Sequence, residues 1–161
     1  MSVSPPAPYS EHLAGRDPVD VLRTSFDDYH ARMPRLATAD WRRPRAPGKW
    51  TVSEIMVHVA QWEMILGLRV RCGVAAPLYE VQPMDQDELM RLEGDLVTGL
   101  MAFEAFEGVR RMNIALAESL SPDQRRKKVR HPERGEIDVE HLLVTMAGHG
   151  VHHLKQIAAL S

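Results

Sequence analysis

Apolar residues recur along much of the chain at alternating three- and four-residue steps, the spacing that lines one face of an α-helix. Val19, Leu22, Phe26, Tyr29, Met33 and Leu36 form the first stripe. Asp17 offers an N-cap and Pro18 suits the first helical position. Pro34 disfavours helix at the residue before it, so the first helix is predicted over 18–34. Thr51 and Glu54 have capping-box spacing ahead of Val52, Ile55, Val59, Trp62, Leu66 and Arg69. The second helix is predicted over 52–72, with Gly73 as its C-terminal cap. Leu96, Leu100, Phe103, Phe106, Val109, Met112, Leu116 and Leu120 mark a third helix over 95–120, weakened by Gly99 and Gly108 and closed by Ser121-Pro122. Asp138 caps a fourth over 139–160, whose apolar face carries Val139, Leu142, Leu143, Met146, Ile157 and Leu160.

The stretches between these helices carry turn residues. Residues 37–50 hold Pro44, Pro47 and Gly48 and read as a loop. Residues 74–92 are mixed, with a short helical turn near Gln86–Arg91. The basic run Arg125, Arg126, Lys127, Lys128 and Arg130 lies in 123–137, which reads as a solvated loop; the alternative is an anion or substrate contact. No segment reads as a strand, so the expected fold class is all-α, a four-helix bundle. The long connection between helices 2 and 3 is enough chain for a crossover, which would let those two helices run parallel. We expect one domain over 17–161, preceded by a flexible N-terminal tail over 1–16 rich in proline and small residues.

Charge and cysteine content narrow the function classes. A net charge of −2 with both signs interspersed gives no basic face for nucleic acid. No apolar run is long enough to span a membrane, and the start lacks the pattern of a secretory signal. Cys72 is the single cysteine, which excludes an internal disulfide and suits a reducing cytoplasm. An inert thiol is the expectation for it.

Histidine use changes the picture. There are eight histidines against three tyrosines and three phenylalanines. His149 and His153 stand four residues apart on the apolar face of the fourth helix, one above the other. His58 falls between Ile55 and Trp62 on the inward face of the second. An unpaired buried polar group costs about 1–3 kcal/mol. One divalent ion satisfies three such imidazoles together, and three protein ligands with an open position is the pattern of a catalytic site. The competing reading is three hydrogen-bonded core histidines. Gly150 follows His149 where the HExxH metalloproteases carry their glutamate, so that class is rejected. Gly148 and Gly150 suggest close helix packing or space beside an ion. His152 points to the edge of the face as a pocket-wall or hydrogen-bonding residue. Gln156 is placed to hold a ligand imidazole or to be plain surface, and Trp62 to sit in the core or wall a pocket. Glu54 is explained by the capping box. His12, His30, His131 and His141 are assigned to surface or loop.

Two stretches carry a family resemblance. One is Gly-Lys-Trp-Thr-Val-Ser-Glu-Ile-Met-Val-His-Val-Ala at 48–60; the other is Gly-Glu-Ile-Asp-Val-Glu-His-Leu-Leu at 135–143, leading to His149-Gly150-Val151-His152-His153-Leu154-Lys155-Gln156-Ile157. Their order, spacing and double histidine resemble the DinB-like (DinB/YfiT) family of metal-binding helical bundles. The resemblance implies a four-helix bundle with the 2–3 crossover. It implies metal ligation by His58, His149 and His153, zinc or nickel as the ion, and often a homodimer. It also implies a metal-dependent enzyme on a small-molecule substrate. A low-molecular-weight-thiol-dependent S-transferase is the leading expectation, because a divalent ion deprotonates a coordinating thiol. A hydrolase, or a stress-response metal binder without turnover, are the alternatives.

Overall fold

The computed structural model describes residues 5–44, 46–94 and 96–159. Helix α1 (Pro18–Arg32) starts where Asp17 accepts from the Val19 N–H, and a 3-10 turn over Met33–Arg35 follows at Pro34. The short α2 (Thr38–Trp41) lies in the stretch expected to be loop. Helix α3 (Val52–Ala75) opens on the Thr51–Glu54 capping box and outruns its expected end. Gly73 is therefore no C-cap. A Cβ there would stand 2.9 Å from Val129 Cγ2 and 3.1 Å from Val139 Cγ2, so the glycine serves close packing. After β1 (Tyr79–Glu80), Asp85 caps α4 (Gln86–Glu93), the expected helical turn. Helix α5 (Gly99–Ser119) begins at Thr98 rather than at 95. Then come α6 (Pro122–Arg125), β2 (Lys128–His131), β3 (Gly135–Asp138) and α7 (Val139–Ala158), capped by Asp138. Leu160, assigned to the last stripe, lies outside the described residues.

Helices α1, α3, α5 and α7 form the bundle. Gly99 sits against Ser53 and Gly67 against Asn113, the same offset at both ends, so α3 and α5 run parallel. Helix α7 runs back along α3, with Val139 beside Gly73 and His149 beside His58. This is the crossover topology, and it brings the middles of α3 and α7 together. No described helix is long and apolar enough to cross a membrane.

The basic segment is not a loop, and the fold is not free of sheet. β2 and β3 pair antiparallel, with Val129 opposite Ile137, and β1 pairs parallel to β2. Val129 and Ile137 are buried while Lys128, Arg130 and Glu136 face out, the alternation of a half-buried strand. Gly135, at φ 72°, makes the turn. Arg125 pairs with Asp17 and Glu140, tying α6 to α1 and α7.

The third stripe also needs correction. Leu96, Leu100 and Met112 are exposed; the inward face is Ala102, Phe103, Phe106, Arg110, Asn113, Ala117 and Leu120. Two polar residues thus occupy core positions of α5. Arg110 donates to Glu63 Oε2 (2.7 Å), to Ser25 Oγ (3.1 Å) and to the Leu22 carbonyl (3.3 Å), and Asn113 donates to Glu63 Oε1 (2.7 Å). These residues form a polar layer between two apolar clusters. One cluster contains Leu66, Val70, Ala117 and Met146, the other Met56, Phe106, Leu154 and Ile157.

The N-terminal segment packs on α7 through Tyr9 and the turn that follows it. A 3-10 turn over Ser10–Leu13 buries Leu13. A Cβ at Gly148 would stand 2.3 Å from the Tyr9 carbonyl oxygen, and one at Gly150 2.8 Å from Arg110 Nη2. The paired glycines of α7 therefore serve close packing, of the N-terminal segment and of the buried arginine.

Candidate metal centre

Antiparallel α3 and α7 place His58 against the His149–His153 pair. The ring centroids lie 5.0 Å apart for His58 and His149, 4.7 Å for His58 and His153, and 4.5 Å for His149 and His153. One nitrogen from each ring lies within 4.8 Å of the other two. The rings are 2%, 7% and 5% exposed. His58 Nε2 and His149 Nε2 are 3.0 Å apart, close to the roughly 3.3 Å of two imidazoles sharing a tetrahedral ion.

The protons of His153 are set by its neighbours. Its Nδ1 donates to Gln156 Oε1 at 2.9 Å, so the lone pair falls on Nε2, a buried atom without a hydrogen-bond partner. Gln156 Nε2 donates in turn to His152 Nε2 at 3.0 Å, and His152 Nδ1 meets His12 Nε2 at 3.2 Å. A buried imidazole lone pair without a hydrogen-bond partner, in a ring clustered with two other imidazoles, fits a divalent cation. An all-imidazole set suits zinc, nickel, copper or iron.

Burial, more than any other cause, keeps all three rings neutral. It holds His58 down to about 3 and His153 down to about 4, against the Gln156 hydrogen bond that raises His153, and it holds His149 well below the ordinary range. Neighbouring imidazoles push the same way. In the unfolded chain the same groups titrate near 6.5. Below that pH the unfolded state binds more protons, so stability is lost as pH falls from about 6.5 toward the folded values. Chelator-treated protein should therefore melt at progressively lower temperature from about pH 7 to about pH 4. An acid-independent melting temperature would contradict this burial.

Aromatic residues surround the triad. The Trp50 ring is 5.0 Å from His58, Tyr9 5.6 Å from His149, and Trp62 6.2 Å from His149. Trp62, Tyr9 and His149 also line a cavity of about 250 Å³. His152 takes the hydrogen-bonding role expected of it, while Cys72 lies outside the cluster and the cavity. Glu54 serves only its cap.

Two histidines are misplaced by the sequence reading. His12, assigned to surface or loop, lies in the 3-10 turn Ser10–Leu13 and meets His152. His141, assigned to surface or loop, is buried on α7 and lines the cavity with Thr145 and His149. The four-residue series 141, 145, 149, 153 carried that signal. His131 lines the same cavity from β2, and His30 is exposed beside Glu107. Tyr9 and Arg134 had no sequence signal, since the segments that bring them in were read as tail and loop.

A Geobacillus kaustophilus protein named "Putative metal-dependent hydrolase" is 30% identical over 145 residues, covering 88% of this chain and 81% of that one. An Oceanobacillus iheyensis protein of like name is 26% identical over 113 residues; the match takes in 70% of this chain but only 66% of the relative. Among solved structures, YfiT from Bacillus subtilis, described as a probable metal-dependent hydrolase with an unusual four-helix bundle topology, superposes with a TM-score of 0.79 at 20% identity, over 89% of this chain and 83% of that one. A mycothiol-dependent maleylpyruvate isomerase superposes with a TM-score of 0.70 at 15% identity, over 87% of this chain and 59% of the isomerase. At those identities the two structures speak to the fold alone. The family is settled by a match of the DinB superfamily model to residues 22–157, through all four bundle helices and all three histidines, and the chain belongs to that superfamily.

Proposed function

We propose that this protein is a metal-dependent hydrolase of a small molecule, holding one divalent ion, zinc or nickel, on His58, His149 and His153. The observation that carries the proposal is the orphaned, buried Nε2 of His153, in a ring clustered with His58 and His149 beside a cavity that reaches His149. A divalent ion held there would lower the pKa of a water or thiol and polarise a carbonyl or phosphoryl oxygen. The chain's own groups do the rest. Gln156 fixes the tautomer of His153. Tyr9 and Trp62 wall the approach to His149. The names of the relatives support hydrolysis, and so does the cavity, which has room for one small substrate. A second reading, transfer to a low-molecular-weight thiol, draws support from the fold shared with the mycothiol-dependent isomerase.

Zinc-loaded protein should release nitrophenol from p-nitrophenyl acetate, and His153→Ala should abolish the release. Consumption of cysteine with chlorobimane and no ester cleavage would favour the second reading. Neither activity would leave a metal-binding protein without turnover. Removing an outer hydrogen-bond partner typically weakens metal binding by about 10–100-fold. Gln156→Ala should do so in chelator competition, with Gln156→Glu restoring most of the affinity. Unchanged affinity in Gln156→Ala would remove the role given to that residue.

A further inference from the structure

The cavity that ends at His149 has an electrostatic character of its own. Two arginines line it from different elements, Arg69 from α3 and Arg134 from the β2–β3 turn. Arg69 is 7% exposed, lies 5.5 Å above the Trp62 ring and gives an Nη2 hydrogen to the Gln82 carbonyl at 2.8 Å. Among the described residues neither arginine forms an ion pair. Glu133 is the single carboxylate in the lining, and it is exposed. The charge of Glu133 reaches Arg69 without forming an ion pair with it, and a carboxylate in the cavity would match the planar fork of the buried guanidinium. His131 and His141 lie near enough to feel Arg134, whose charge adds to burial in holding both imidazoles neutral. Trp62, Leu66 and Leu142 supply an apolar part of the wall, with Gln86 and Thr145 as neutral polar members of the lining. At about 250 Å³ the space is smaller than the roughly 300–1,000 Å³ of sites for drug-sized ligands.

We infer that this cavity binds a small organic carboxylate, its charged end at Arg69 and Arg134 and its apolar body along Trp62, Leu66 and Leu142 toward His149. The inference rests on the proposed function only in placing the reacting end at His149; the contacts to the carboxylate need no ion.

The test is a titration of chelator-treated, full-length protein with phenylacetate and with its neutral isostere phenylacetamide. It is followed by calorimetry and by the indole N–H resonance of Trp62. Phenylacetate should bind saturably and shift Trp62, and phenylacetamide should bind about tenfold or more weakly. Arg134→Gln, at a half-exposed turn position, should weaken phenylacetate by about tenfold or more and leave phenylacetamide unchanged. Arg69→Gln should act likewise, and a melting curve checks its fold. Equal affinity for acid and amide, no binding of phenylacetate, or no effect of Arg134→Gln would each overturn the inference. A zinc-loaded arm separates the two readings. Phenylacetate binding that requires zinc and ignores Arg134→Gln puts the carboxylate on the ion, which sinks this inference and spares the metal site. Zinc-independent binding through Arg134 in a protein that takes up no zinc does the reverse.

Discussion

Protein carrying His153→Ala, purified without an affinity tag and offered zinc, should retain little of it, while His152→Ala should retain nearly all. The two residues are adjacent in sequence and opposite in role. His153 has a buried, unpartnered Nε2 and belongs to the cluster with His58 and His149. His152 stands outside that set, accepting from Gln156 through Nε2 and meeting His12 through Nδ1. Losing one of the three proposed ligands should exceed the about 10–100-fold loss expected when Gln156 is removed. His152→Ala removes a hydrogen-bond partner of Gln156 and a ring packed on His153, but no member of the proposed ligand set. Metal content by mass spectrometry, with circular dichroism to verify folding, decides the matter. Wild-type metal content in His153→Ala would end the case for this site.

The triad was legible because its signal is local. The four-residue step of His149 and His153 and the place of His58 in its stripe follow from helical geometry alone. The stripes of α1, α3 and α7 were equally legible, since enough apolar residues repeat at helical steps on their inward faces to mark them, polar members such as Glu63 and Arg69 notwithstanding. The stripe of α5 was not. There the inward face carries Arg110 and Asn113, while Leu100 and Met112 face solvent, so an apolar count follows the wrong side. The hairpin escaped notice because each of its strands contributes a single buried apolar residue, Val129 or Ile137, amid charges. Periodicity needs more repeats than two four-residue strands supply. The packing of Tyr9 on Gly148 is a contact across most of the chain, which no local pattern encodes.

Glu63→Leu should destabilise the chelator-treated protein by about 3–5 kcal/mol, the usual result of stripping one partner from a buried ion pair. Arg110 is fully buried and Glu63 is 3% exposed, so neither charge can turn to water. Without Glu63 the guanidinium keeps only neutral acceptors, Ser25 Oγ and the Leu22 carbonyl. Arg110→Met should cost a similar amount, because the carboxylate of Glu63 is then left with Asn113 and little else. The double variant Glu63→Leu/Arg110→Met removes both charges at once. It should lie closer to the wild type than either single variant, since no buried charge remains uncompensated. Urea unfolding of the four proteins measures the coupling. Purely additive losses, or single losses under about 1 kcal/mol, would show that water reaches this layer and that the pair is not sealed. The same layer holds the triad: Gly150 bears no side chain where Arg110 Nη2 approaches, and its carbonyl accepts from the Tyr29 hydroxyl at 3.0 Å. The charge of Arg110 also helps to keep His149 neutral, after burial and the other two imidazoles. A sealed Arg110–Glu63 pair therefore fixes the stretch of α7 on which His149 and His153 stand.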